Sequence, residues 1–262
     1  MRLGQIWIHP VKSLAGVRVD AADVDDRGLA HDRRFMVVGP DGRFLTQRTI
    51  PRMVSLGAHI EAGELRVTHR ESSLSVSLDA EGPAREVTVW QDVVSALDVG
   101  DEAARFLTDA LGAPARLVRM PREVRRQVDL AHAREGDLVS FADGFPFLVV
   151  GDGSLGAMSA ELGEEADVRR FRPNLVIDGA PAFAEDEWPR FRIGPITFHG
   201  SKACGRCSIV DVDPDRGLAA KGHLSTLARF RKRGGEVYFG QNCVHDGTGT
   251  LRVGDAVEVL EA

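Results

Sequence analysis

The run Asp32-Arg33-Arg34-Phe35-Met36-Val37-Val38-Gly39-Pro40-Asp41-Gly42-Arg43-Phe44-Leu45-Thr46-Gln47 sets the architecture. Phe35 to Val38 suits a half-buried strand, because branched and aromatic side chains pack well on a pleated surface. Gly39-Pro40-Asp41-Gly42 supplies a turn, since proline presets φ and glycine tolerates the left-handed region. Arg43 to Gln47 then follows as a second arm, so the run predicts a hairpin.

The same grammar spreads outward. Gln5 to His9, Val17 to Val24, Glu64 to His69, Leu74 to Leu78 and Glu86 to Val94 read as further strands. A helix is expected from Asp101, as cap, to Leu111, ended by Gly112. The second half is mixed. Strands are expected at Phe147 to Val150, Leu175 to Ile177, Arg192 to His199 and Ser208 to Val212, and from Leu251 to Leu260 around a turn at Gly254-Asp255. Helices are expected near Ser154 to Leu162, capped by Asp152, and near Leu224 to Arg233. Strands dominate without βαβ alternation, so the expected class is α+β, strand-rich, on barrel-like sheets. Prolines and charges cluster between about 112 and 135, and there the chain divides most naturally.

Composition narrows the function. The 262 residues carry 33 basic and 39 acidic side chains, a net charge of −6. Phosphate binding needs a basic footprint, so a nucleic-acid-coating role is excluded. Three cysteines make no disulfide scaffold. The longest apolar stretch, about Phe145 to Gly151, is too short to cross a bilayer, and the N-terminus has no secretory pattern. The expected address is cytoplasmic, with no membrane partner.

The sharpest chemical signal is Cys204-Gly205-Arg206-Cys207. Read locally it fits half a zinc site, a redox dithiol, two structural thiols, or one thiolate gripping a soft metal centre. A strand after Cys207 argues against the dithiol, which needs a helix N-terminus to activate its sulfur. Lys12-Ser13 offers an ammonium and a hydroxyl at a strand end, and Arg33-Arg34 would point to opposite faces of a strand. Arg172-Pro173-Asn174 fixes a guanidinium fork beside a carboxamide. Asp143, between Phe141 and Phe145, is expected in a partly apolar pocket with a raised pKa, as a proton donor.

The ordered stretches HPVKSLAG (9–16), HDRRFMVVGPDGRFLTQR (31–48), FADGFPFLV (141–149), FRPNLVIDG (171–179), AFAEDEW (182–188), CGRCSIVDVDPDRG (204–217), FGQN (239–242) and LRVGDAVEVL (251–260) resemble the MOSC superfamily. The branch they resemble holds the mitochondrial amidoxime reducing components and their bacterial relatives. The resemblance implies a β-rich N-terminal MOSC domain over 1–115 and a MOSC β-barrel-like domain over 116–262. It implies a molybdenum cofactor (Mo-molybdopterin), with Cys207 as metal ligand and catalytic residue. Asp143 would be catalytic near the metal, and Lys12, Ser13, Arg33, Arg172 and Asn174 would bind the cofactor. Gly151 to Ser154 are weaker candidates for its phosphate end.

The implied activity is reduction of small N-hydroxylated substrates by oxygen-atom abstraction. The sequence has neither the four cysteines of an appended ferredoxin domain nor a membrane anchor. Electrons are therefore expected from an external donor protein of ferredoxin, flavodoxin or reductase type. The alternative reading is a persulfide-handling or pyridoxal-phosphate-linked MOSC module, in which Cys204 or Cys207 carries sulfur.

Overall fold

The computed structural model describes residues 1–261. It is an α+β fold in which strands predominate, with three α-helices among the described residues. The largest sheet runs, in spatial order, Val257–Glu261, Arg190–Ile193, Ile196–Gly205, Glu236–Asp246, Phe147–Gly151, Leu175–Asp178, Arg2–Ile8 and Val17–Val19, and Lys232–Arg233 adds to Glu236–Asp246. Its neighbours are antiparallel except Phe147–Gly151 beside Leu175–Asp178, which are joined through the helix Asp152–Leu162. An antiparallel bridge between Arg2 and Ala256, with Leu3 N donating to Asp255 O at 2.8 Å, joins Arg2–Ile8 to the chain leading into Val257–Glu261 at the other end and closes the sheet into a barrel. Closure removes edges that would otherwise pair with other chains.

The barrel interior is apolar because alternate residues of each strand face inward. Leu3, Ile6, Phe147, Val149, Leu175, Phe191, Ile193 and Phe198 are all essentially inaccessible. Phe198 lies edge-on to Phe147 at 5.0 Å and stacks on Phe191 at 5.2 Å. Each such ring contributes about 1.5–3 kcal/mol by burial.

The N-terminal half adds a four-stranded sheet (Phe35–Val38, Arg116–Arg119, Asp92–Asp98, Ala84–Val89) and a three-stranded meander (Gly57–Glu61, Glu64–His69, Ser72–Ser77). A second apolar core lies there, around Leu56, Leu65, Val67 and Leu107. The two halves exchange strands. Arg2–Ile8 pairs with Leu175–Asp178, and Gly249–Arg252 with Ala21–Asp25.

Several local expectations change. Arg43 to Gln47 forms only isolated bridges, Val38 with Phe44 and Arg43 with Thr88, since loop 39–42 sits across a third strand. Glu86 to Val94 is two strands folded about Trp90-Gln91. The expected strand at Arg192 to His199 is likewise two, Arg190–Ile193 and Ile196–Gly205, turning at Gly194-Pro195. The helices begin after Gly100 and Gly151, not on capping side chains of Asp101 and Asp152. Their ends are as expected, with Gly112 and Gly163 left-handed at φ 63° and 78°. Ser208 to Asp211 is a 3-10 turn rather than a strand; the strand, Ile196–Gly205, carries Cys204 near its end and stops before Cys207. Asp211 and Asp213 explain the difference. Their carboxylates accept from the backbone amides of Leu224 and of Asp215 and Arg216, folding the segment back on itself.

Candidate functional site

One cleft of about 820 Å³, counted out to its open mouth, lies where the halves meet. Lys12, Ser13, Arg33, Asp143, Arg172, Asn174 and Cys207 all line it. They come from five separate segments of the chain.

Lys12 follows the first barrel strand, at a point where its amide donates to Phe35 O at 2.9 Å. Its side chain is only 5% exposed. The ammonium donates to Phe141 O at 2.8 Å and to the Asp143 carboxylate, and sits 5.0 Å above the Phe44 ring. Burial lowers the Lys12 pKa from 10.5 to about 8, partly offset by Asp143. Asp143 moves the other way from the sequence expectation. Its own burial would raise the pKa, but the Lys12 ammonium, together with Arg48 and the Trp90 N–H, outweighs this and holds it well below the usual carboxylate range. The side chain keeps 60% of its surface open and faces the cleft as an anion, not as a proton donor.

Arg33 is positioned by a turn, not a strand. Its φ is 47°, which throws its side chain into the cleft while Arg34 pairs with Asp25 outside. The Arg33 fork donates to Asp32 Oδ2 at 2.6 Å, Asn174 Oδ1 at 3.0 Å and Arg172 O at 3.2 Å. Asn174 is buried and braced on both ends, accepting also from Leu148 N and donating to Trp7 O at 3.3 Å. It therefore holds Arg33 in place.

Arg172 has φ 55° and Ser13 φ 69°. Three non-glycine cleft residues thus hold the left-handed conformation, which costs of order 1–3 kcal/mol each and persists where the surroundings over-determine it. Arg172 donates to Leu14 O at 2.7 Å and pairs with no carboxylate among the described residues. Burial, then the charge of Arg33, pushes its pKa down to about 9, still charged at neutral pH.

Cys207 sits between the end of Ile196–Gly205 and the 3-10 turn, half-buried and free; Cys204 is also a half-buried free thiol on the cleft wall. Arg206 donates to Cys204 Sγ at 3.1 Å and to Phe171 O at 2.6 Å. Among the described residues no group of three or more His, Cys, Asp or Glu side chains is arranged to hold a metal, so CGRC has no zinc-ligand partners. Cys243 is buried in the barrel, where burial pushes its thiol pKa up.

Gly151 to Ser154 do not reach the cleft. The Asp152 carboxylate accepts from Gly179 and Ala180 amides, and Ser154 donates to Glu185 at 2.8 Å. Sequence reading missed Arg48, Thr46 and Asn242, which also line the cleft. Thr46 and Gln47 fall in the arm expected over Arg43 to Gln47, and Arg48 just beyond it; Gln47 donates to Ser13 O at 2.7 Å and so turns the loop inward.

Five cations (Lys12, Arg33, Arg48, Arg172, Arg206) and two thiols therefore face one carboxylate in the lining. That donor set suits a polyanion with a soft metal end.

The sequence matches two family descriptions, MOSC N-terminal beta barrel domain over residues 1–114 and MOSC domain over 137–258. It is 31% identical over 98% of its length to Mitochondrial amidoxime-reducing component 1 of Homo sapiens, covering 82% of that protein. The chain belongs to the MOSC family, with the amidoxime-reducing components among its relatives. Mitochondrial amidoxime reducing component 2 of Homo sapiens is 30% identical over 97% of this chain and 82% of its own. Molybdenum cofactor sulfurase of Oryza sativa subsp. japonica is 29% identical over 92% of this chain, which spans 32% of that protein. No described helix of this MOSC protein is long and apolar enough to cross a membrane.

Proposed function

We propose that this MOSC protein is a molybdenum-cofactor-dependent oxidoreductase. In this reading it reduces small N-hydroxylated compounds with two electrons from a separate redox protein. The observation that carries the reading is the placement of a half-buried Cys207 thiol and an excess of buried cations in one cleft. The donor set fits the group. Cys207 would hold the metal, and Lys12, Ser13, Arg33 and Arg172 would hold the anionic pterin and phosphate portions.

When bound, the cofactor supplies a metal that takes oxygen from an N–O bond, and the overall change consumes two electrons and two protons and releases water. The residues supply the setting. Asn174 and Asp32 fix the Arg33 fork, so a planar anion meets preorganised donors rather than a mobile chain. Lys12 Nζ keeps its proton at neutral pH between Phe141 O and Asp143. Asp143, ionised, accepts hydrogen bonds from a polar N–OH or water at the mouth.

The test uses protein from a cofactor-rich host, assayed for molybdenum, pterin fluorescence and benzamidoxime reduction with a chemical donor. Wild type should carry all three, and Cys207→Ala should lose metal and activity while Cys204→Ala keeps them. Full activity in Cys207→Ala overturns the assignment. A +32 Da adduct on Cys204 or Cys207 after incubation with a cysteine desulfurase, without molybdenum, supports sulfur handling instead; that mass is an expectation from thiol chemistry.

A further inference from the structure

We propose that Trp90 is a specificity-determining residue that stacks flat, π-conjugated N-hydroxylated substrates at the mouth of the cleft. This rests on the reductase reading and adds a substrate class to it.

Trp90 is the first residue of the two-residue loop joining Ala84–Val89 to Asp92–Asp98, because Val89 pairs with Asp92. It holds φ 57°, a conformation that loops of this kind reserve for asparagine or glycine. A bulky aromatic there is a genuine outlier, so local preference does not explain it. Nor does burial, since 44% of the residue's surface is open.

What the strained backbone achieves is aim. The indole N–H donates to Asp143 Oδ1 at 3.2 Å, the same carboxylate that Lys12 contacts. The Arg48 guanidinium lies 4.6 Å from the indole ring centre and 3.7 Å from Asp143 Oδ2. Phe44 meets the ring at a tilt, 5.2 Å between centroids. A loop from the N-terminal sheet is thereby fastened to the rim of a cleft whose thiols come from the barrel.

Arg48 differs from the deeper cations. Arg33 and Arg172 are anchored by backbone carbonyls, whereas Arg48 contacts Thr46, Trp90 and Asp143 at a partly open site. Arg48 lies over the indole and Asp143 accepts from its N–H; both line the cleft, so the open part of the ring adjoins its mouth beside one carboxylate acceptor. A conjugated amidoxime presents a planar face for the indole and an N–OH for Asp143. Hydroxylamine has the N–OH without the face, so the rim discriminates between them.

A merely structural tie would depend on the N–H bond to Asp143, whereas a stacking platform depends on the ring. Trp90→Phe keeps a ring and removes the N–H; Trp90→Ala removes both. In the loaded enzyme, Trp90→Ala should raise KM for benzamidoxime about tenfold with kcat within twofold, a size expected for one aromatic contact. Trp90→Phe should restore most of that, and KM for hydroxylamine should stay within about twofold in both.

Binding is also read without turnover. Benzamidoxime should quench the tryptophan fluorescence of the wild type, cyclohexanecarboxamidoxime, with its saturated ring, far less, and Trp90→Phe should lose the quench. The inference is overturned if Trp90→Phe behaves like Trp90→Ala, if hydroxylamine is affected equally, or if both rings quench alike. If no preparation reduces either substrate the reductase reading falls, and the fluorescence comparison still decides the platform.

Discussion

Replacing Lys12 with methionine should make the cofactor-free protein more stable at neutral pH, and the gain should vanish in alkali. The Lys12 pKa falls from 10.5 to about 8 on folding. At about 1.4 kcal/mol per pKa unit, the buried ammonium costs the fold about 3 kcal/mol below pH 8. The unfolded chain binds the extra proton between pH 8 and 10.5, so wild-type stability from this group rises across that window. Methionine removes the charge and also the hydrogen bond to Phe141 O, worth about 1 kcal/mol. Asp143 loses its ammonium partner, but its side chain stays 60% open to water, which limits the cost of leaving it charged. The net gain at pH 7 is about 2 kcal/mol, or about 4–8 °C in Tm for a chain of this size. Above pH 10.5 the variant should be the less stable by about 1 kcal/mol. Urea melts of both proteins at pH 7, 9 and 10.5 measure this. Arg172 also titrates low, but it is present in both chains and cancels in the difference. Parallel stability curves, with no crossing between pH 7 and 10.5, would refute the reasoning. A fold that tolerates such a cost keeps the charge for something that binds it, which is a stability–function trade-off.

Two further changes probe the cleft and its backing. Arg33→Lys should weaken cofactor retention about tenfold, because a point charge cannot span Asp32, Asn174 and the Arg172 carbonyl as the fork does; equal molybdenum content after extended dialysis contradicts this. Gly16→Ala would place a methyl carbon 2.4 Å from the His9 ring, which is buried among Arg33 and Arg172, and should cost about 1–3 kcal/mol in thermal melts. An unchanged Tm would show that the ring moves freely.

Much of the fold was legible locally. Strand runs such as Glu64–His69 and Phe147–Gly151 announce themselves by branched apolar residues, and Gly112 and Gly163 mark helix ends by needing φ above zero. Errors fell where a side chain competes with the backbone. Asp211 and Asp213 turn the segment after Cys207 into a 3-10 turn, and the loop at Arg43 is pulled across another strand. The candidate residues Lys12, Ser13, Arg33, Asp143, Arg172, Asn174 and Cys207 were named from motifs, but their gathering into one cleft was not readable from spacing.

Sequence alone determined most of the elements, the apolar stripes that fill the barrel, and the family, because these depend on short-range pattern and ordered motifs. Tertiary structure alone decided the charge of Asp143, the burial of Lys12 131 residues away in the chain, and the meeting of Trp90 and Arg48 at one rim. The physical reason is range. Backbone preference acts over a few residues, whereas a pKa or a stacking contact is set by groups that meet only when distant strands pair.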